Sequence, residues 1–312
     1  MERRKFLKTA ALGGIAGVIN LKNSAAIAKP AATPTPAAPP YDLVAVMGGE
    51  PEVMYAKAID ALGGIKQYVK PGQRVVVKPN IGWDRLPEFA ANTNPKLIIA
   101  IIKDCLAAGA KEVSVFDHTC DEWRACYKNS GIEEAVKQAG GKMLFGHEEK
   151  YYRQVSIPQA KRLKTAKIHE SILDCDVWIN VPILKTHGGA KMTIAMKNYM
   201  GLVWDRRFMH SNDLQQCIAD LTLIKPKPAL TIVDAYRIMT QNGPKGMSEK
   251  DVLTPKSMFV SSDIVAVDAA SVAFFNQYKK MPLADVGHII IGEEMKIGTT
   301  GIDKLKVHRI RI

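Results

Sequence analysis

The chain has 312 residues, of which 47% are hydrophobic and 24% charged, and a formal net charge of +12; these are ordinary globular values that accommodate one large domain or two small ones. No run approaches the roughly 18 apolar residues of a membrane span, no basic run is interleaved with aromatic residues, and no familiar nucleic-acid module is present. The positive excess therefore points to anionic ligands or surfaces, with no nucleic acid as partner and no membrane span in the mature protein.

The first 28 residues read as an address. Arg3-Arg4-Lys5-Phe6-Leu7-Lys8 is a charged start, Thr9 to Leu21 is a short apolar stretch containing glycine, and Ala26-Ile27-Ala28 has the small residues of a cleavage site. The arginine pair followed by Phe-Leu-Lys resembles a bacterial twin-arginine export signal. An ordinary secretory signal or a basic amphipathic tail accounts for fewer of these features in that order. Such a signal implies the twin-arginine export machinery as a partner and a periplasmic or otherwise extracytoplasmic destination. Its cargo is exported already folded, often with a cofactor. Residues 29–40, KPAATPTPAAPP, read as an extended Pro/Ala tether without a core, so the folded body begins near Tyr41.

Within 41–312 strand-like runs alternate with helix-like ones. Strands are expected at 43–46, 74–78, 112–116, 142–145, 176–181, 230–233 and 257–260, and helices at 51–62, 95–108, 132–139, 214–224 and 264–278. Asn94-Pro95 supplies a capping residue and then proline at the first helical position, and Gly109 stops the same helix. The alternation predicts an α/β fold: a mostly parallel central sheet with helices on both faces, in three layers. The body reads as a single domain with an irregular insertion around 147–170.

Polar residues punctuate the ends of four expected strands: Lys78-Pro79-Asn80, Asp117-His118, Lys185-Thr186-His187 and Asp234. In an open parallel sheet these carboxyl ends share one edge, where ligands bind as strand order reverses. Helix capping accounts for Asp117 and Asp234 but poorly for Lys78 and Lys185. The stretch ILKTHGGAKMT, 183–193, is expected to lead into a helix over 190–203. Met192, Met196, Tyr199 and Val203 would form its core stripe, Lys191, Ala195 and Asn198 a second face, and Thr193 and Lys197 a third. Gly188 and Gly189 would let the backbone approach an anion at the free N–H groups of the first turn. Candidate residues are therefore Lys185, His187 and Asp117 for catalysis, and Lys78, Asn80, Gly188, Gly189, Lys191 and Asn198 for a phosphate or carboxylate. His118, Cys120, Cys126 and His210 are candidates for a metal ion. His187 alone is equally a hydrogen-bonded structural histidine, and GGAKMT is not a Walker loop.

Five cysteines and no C-x-x-C leave no iron–sulfur cluster motif in this chain. An oxidising compartment permits one disulfide, with Cys120 and Cys126 the nearest pair; the same two are alternatively shared metal ligands. Cys105 and Cys217 read as small buried hydrophobes. The H-x-H, H-E-x-x-H, G-x-S-x-G and G-x-G-x-x-G patterns are absent.

VVVKPNIGWD (75–84), NTNP (92–95), VFDHTC (115–120), INVPILKTHGGAKMTIAMKNYMG (179–201) with the later His210, LTIVDA (230–235) and SSDIVAVDA (261–269) resemble the domain of unknown function 362 family over nearly all of 41–312. The resemblance implies the fold and marks the same positions without naming a reaction. Members described as iron–sulfur proteins carry an attached ferredoxin-like segment that this chain lacks. A more distant similarity, to the catalytic part of nickel-pincer lactate racemases, implies lysine and histidine beside an α/β sheet holding a metal ion or phosphorylated cofactor. The expected function is an enzyme on a small anionic ligand, using metal-assisted or lysine/histidine acid–base chemistry. A cofactor-carrying redox accessory protein and a non-catalytic anion-binding protein are the alternatives.

Overall fold

Three consecutive valines, 75–77, show how the sheet is assembled. Side chains alternate across a strand, so Val75 and Val77 enter one buried cluster and Val76 enters another on the opposite face. Each such valine stabilises the fold by about 1.5–3 kcal/mol on leaving water. The computed structural model describes residues 38–312; the expected export signal and most of the tether lie outside the described residues.

The chain opens with β1 (Leu43–Met47), α1 (Pro51–Ala61), β2 (Arg74–Pro79), α2 (Pro95–Ala107), β3 (Glu112–Val115), α3 (Trp123–Asn129), α4 (Ile132–Gln138) and β4 (Lys142–Met143). Next come β5 (Tyr152–Ser156), β6 (Thr165–His169), α5 (Glu170–Asp174), β7 (Val177–Val181), β8 (Ile183–His187) and β9 (Lys191–Thr193). The last part holds α6 (Ala195–Asn198), α7 (Arg207–Ser211), α8 (Leu214–Leu221), β10 (Leu230–Met239), β11 (Val252–Leu253), β12 (Ser257–Ser261), α9 (Ile264–Phe275), α10 (Gly287–Glu294) and β13 (Val307–Arg311).

The large sheet runs β13-β1-β12-β10-β7-β2-β3-β4, with β10, β7, β2, β3 and β4 mutually parallel and β12 antiparallel to both its neighbours. This is the mostly parallel sheet expected, made mixed by the antiparallel β12. Residues of α1, α2 and α4 cover one face and residues of α8, α9 and α10 the other. The chain moves outward from β2 through β3 to β4, returns to β7 beside β2, and moves outward the other way to β10. Strand order therefore reverses between β2 and β7, and the carboxyl ends of these two strands frame a crevice.

Several elements differ from the expectation. Residues expected as an irregular insertion form the antiparallel β5–β6 pair. The helix expected over 190–203 is instead strand β9 paired with β8, then the short α6 and a 3-10 turn at Tyr199–Leu202. Asp234 does not close its strand, since β10 continues to Met239. Its buried carboxylate accepts the N–H groups of Asn94 (2.7 Å) and Tyr236 (3.0 Å) and is pushed up to about 6 by burial. Asn94 caps α2 as expected, accepting the Lys96 N–H at 3.0 Å. Among the described residues no helix is long and apolar enough to cross a membrane.

Candidate functional site

β2 delivers Lys78 to the crevice with its side chain fully buried. The ammonium has three N–H groups, and three acceptors meet it: Asp117 Oδ1 at 2.7 Å, the Pro79 carbonyl at 2.7 Å and Asn198 Oδ1 at 2.9 Å. Burial pulls the Lys78 pKa down and Asp117 pulls it back up; with every N–H matched, Lys78 is the charged partner of that carboxylate. Asp117 Oδ2 accepts the Ile81 N–H at 2.6 Å. Gly201 lies against the pair so closely that a Cβ there would overlap Asp117 Oδ1.

The polar chain continues through two asparagines. Asn198 Oδ1 also accepts from Asn80 Nδ2 (3.2 Å), its Nδ2 donates to Asn180 Oδ1 (2.8 Å), and Asn80 Oδ1 accepts from Lys185 Nζ (3.2 Å). Lys185, buried on β8, donates a second bond to the Ala91 carbonyl and touches no carboxylate. Burial, helped by the charges of Lys197 and Lys78, brings its pKa down to about 7. A neutral amine has two N–H groups and one lone pair. Both N–H groups of Lys185 are taken, which leaves the lone pair.

Lys197 lines the same cavity with no hydrogen-bond or ion-pair partner among the described residues, and burial, with Arg206 and Lys78, brings it down to about 8. The Thr193 hydroxyl, buried and lining the cavity, has no partner. His187 Nδ1 accepts the Ala190 N–H (3.2 Å), so the neutral ring carries its proton on Nε2. Burial, then the neighbouring cations, holds His187 neutral with a pKa of about 3. His118 donates from Nδ1 to the Val203 carbonyl (2.7 Å), which makes its Nε2 an acceptor; burial and Arg206 lower its pKa. Its ring stacks on Trp204 at 5.1 Å and 6°. Arg206 is tied to the carbonyls of His118 (3.1 Å) and Thr119 (2.8 Å) and to Cys120 Sγ (3.6 Å). The cavity has two tiers. An inner pocket of about 50 Å³ holds Lys185, Lys197 and Thr193, and an outer cleft of about 750 Å³ is walled by Trp83, Trp204, Met200 and Pro244.

Of the expected residues, the fold brings Lys78, Asn80, Asp117, His118, Cys120, Lys185, His187 and Asn198 together around these two tiers. Gly188 and Gly189 form the exposed tip of the β8–β9 hairpin, and exposed Lys191 faces His187 across it with φ of 64°; none of the three lines the cavity. The first N–H groups of α6, expected to receive an external anion, are occupied. Asp268 of α9, fully buried, accepts those of Ala195 (2.7 Å) and Met196 (3.0 Å), and burial pushes it up to about 7. His210 opens on the outer cleft. Cys126 is buried, with its thiol 3.8 Å from the Gly82 carbonyl, and both Cys120 and Cys126 are free thiols. Among the described residues no three His, Cys, Asp or Glu side chains are grouped to hold a metal ion, so the four expected ligands do not form a protein-built metal site. The unpartnered lysine and hydroxyl fit an anionic group better.

Sequence reasoning placed Lys197 and Thr193 on a helix face away from the site and Arg206 in a polar loop, and it did not single out Trp83 or Trp204. The available signal for the first two was Gly-Gly followed by the β-branched pair Thr193-Ile194, which reads as a hairpin turning into a strand. That strand and the short α6 after it bring Lys197 to the cavity that Lys185 lines.

In comparisons with known proteins, the family described as "Domain of unknown function (DUF362)" matches residues 75–273. A thylakoid-associated protein of Synechocystis sp. is 24% identical over 228 residues, covering 69% of this chain and 70% of that protein. Among solved structures, the lactate racemase apoprotein of Thermoanaerobacterium thermosaccharolyticum superposes with a TM-score of 0.49 at 10% identity, over 74% of this chain. A protein from Thermotoga maritima superposes with a TM-score of 0.42 at 11% identity, over 73% of this chain. The chain spans 56% and 60% of the lengths of those two proteins. With the match extending from β2 into α9, the chain belongs to the DUF362 family.

Proposed function

We propose that the protein is an enzyme that seats a small anion in the inner pocket on Lys197 and Thr193 and moves a proton with Lys185. One observation carries the reading: Lys185 has acceptors for two N–H groups and no carboxylate, while its neighbour Lys78 keeps Asp117 for itself. Lys197 and Arg206, neither of them facing a carboxylate, thus stand beside the neutral Lys185 in a cavity whose one acidic side chain is engaged. An anion supplies the missing counter-charge, each charge-assisted hydrogen bond contributing about 1.5–3 kcal/mol. A pure binding protein needs the charge of Lys197 but not an amine tuned to about 7, which is the range in which a lysine serves as general base. The proton taken up by the Lys185 amine returns to the ligand from the same ammonium, while the His118 Nε2 acceptor and the His187 Nε2–H donor line the same cavity as hydrogen-bonding groups.

The test uses the full chain in deuterated water with a panel of α-substituted carboxylates, following α-proton exchange by NMR and binding by calorimetry. Lys185→Met is expected to abolish exchange while retaining binding, and Lys197→Met to weaken binding about tenfold or more. Absence of anion binding, or exchange by Lys185→Met at the parent rate, would count against the reading.

We further propose export by the twin-arginine route with cleavage after Ala28, supported by the ordered signal at Arg3-Arg4 and Ala26-Ile27-Ala28. A relative named for association with thylakoids agrees with a protein delivered to or across a membrane. Replacing both arginines by lysine should leave the precursor inside the cell; unchanged delivery in fractionated cells sinks the proposal.

A further inference from the structure

We infer that the substrate is a monocarboxylate with an apolar, aromatic-sized body: the carboxylate enters the inner pocket and the body lies in the outer cleft between Trp83 and Trp204. The inference rests on the anion site proposed above and adds the substrate class. Size gives the first constraint. One water needs roughly 10–15 Å³ of such space, so the inner pocket of about 50 Å³ admits a group of about four heavy atoms. A carboxylate with its α-carbon is of this size, and a phosphoryl group on its bridging oxygen, with five heavy atoms, stands at the upper limit. Two of the pocket's unengaged polar groups, the Lys197 amine and the buried Thr193 hydroxyl, match the two oxygens of a carboxylate.

Charge gives the second constraint. The outer cleft has arginines, but both are already engaged. Arg207 grips both oxygens of Asp205, at 3.0 and 2.6 Å, and Arg206 points its two terminal nitrogens at the carbonyls of residues 118 and 119. His210 is held towards its neutral form by partial burial and by the charges of Lys197 and Arg206. With Lys197, which also lines the outer cleft, taken by the carboxylate, a second anionic group on the ligand meets only arginines already hydrogen-bonded to protein oxygens. Trp83, Trp204, Met200 and Pro244 present instead an apolar wall to whatever is attached to the carboxylate, and the parallel stack of Trp204 on His118 presents a flat surface.

The experiment measures affinities of the full chain for four probes, acetate, phenylacetate, inorganic phosphate and phenyl phosphate, by calorimetry with tryptophan fluorescence alongside. Phenylacetate is expected to bind at least tenfold more tightly than acetate, to exceed both phosphates, and to quench the fluorescence. Trp83→Leu and Trp204→Leu should each narrow the phenylacetate-to-acetate ratio by threefold or more, whereas Lys197→Met should weaken both carboxylates alike. Equal affinities for acetate and phenylacetate, or preference for either phosphate, overturn this inference and leave the anion site standing. Binding of none of the four overturns the anion site and the inference together. The ranking in the parent protein decides between these outcomes even where a variant folds poorly.

Discussion

Gly201 is where the site is most sensitive to one added carbon. A Cβ there would lie 1.8 Å from Asp117 Oδ1 and 2.6 Å from Lys78 Nζ, so Gly201→Ala must part the ion pair or push the turn at Tyr199–Leu202 away from the end of β3. The second route also breaks the bond from the His118 N–H to the Gly201 carbonyl, 3.1 Å long. Parting a buried pair costs about 3–5 kcal/mol and a backbone hydrogen bond about 1 kcal/mol. The cheaper route sets the loss, which is therefore expected between about 1 and about 5 kcal/mol. At about 2–4 °C per kcal/mol for a domain of 150–250 residues, that is a fall in Tm of about 2–20 °C. Gly188→Ala is the matched control: the position is exposed, and no atom lies within 4 Å of a Cβ built there. It should change stability by less than about 0.5 kcal/mol. Urea unfolding of both full-length variants, followed by circular dichroism, gives the comparison. A parent-like midpoint for Gly201→Ala, or equal losses for the two variants, refutes the claim that the missing Cβ holds this pair together.

The buried lysines make stability depend on pH. Lys185 and Lys197 titrate near 7 and 8 in the fold against an ordinary 10.5. The unfolded chain therefore holds more protons across that window, and stability is highest above 10.5 and is lost as the pH falls towards 7. Lys185→Met should lower the slope of unfolding free energy between pH 8 and pH 10 by up to about 1.4 kcal/mol per unit; parallel curves for parent and variant would dismiss the assignment. Cys120 is exposed in this positive cleft, 3.6 Å from an Arg206 nitrogen, while Cys105, Cys126 and Cys217 are buried. Relative to free cysteine, it should favour anionic iodoacetate over neutral iodoacetamide by several-fold, a preference reduced by salt and by Lys197→Met. An unchanged reagent preference in intact-mass kinetics would deny the positive field at the cleft.

Strands were legible where burial on both faces dictates the residue type, as in Val75–Val77, and Lys78 and Lys185 were legible because a lysine directly after such a run has no role in a core. β13 was not legible, since Val307–Arg311 alternates with charge at the sheet edge and looks like any exposed tail. The region after Gly189 was misread for a physical reason. Met192, Met196 and Tyr199 satisfy a helical stripe, but they are buried from a strand, a short helix and a turn, whose combined spacing mimics one helix. That misreading moved Lys197 off the site and Lys191 onto it. Asp268 also escaped notice. Nothing local in SSDIVAVDA tells that this carboxylate, rather than Asp263, which caps its own helix, reaches across to the start of α6. Such long-range pairing of a buried acid with another element's N–H groups is set by packing between layers, which one sequence does not display.

The most direct test of the site is the ionisation of Lys185 itself. In the full chain labelled with 13C-lysine, the side-chain methylene next to each amine reports its own titration by NMR, and Lys185→Met identifies the resonance. A midpoint near 7, as burial beside Lys197 and Lys78 dictates, is the expected result. A Lys185 midpoint above about 9.5, in the ordinary lysine range, would contradict a neutral amine at this position and with it the base that the proposed reaction requires.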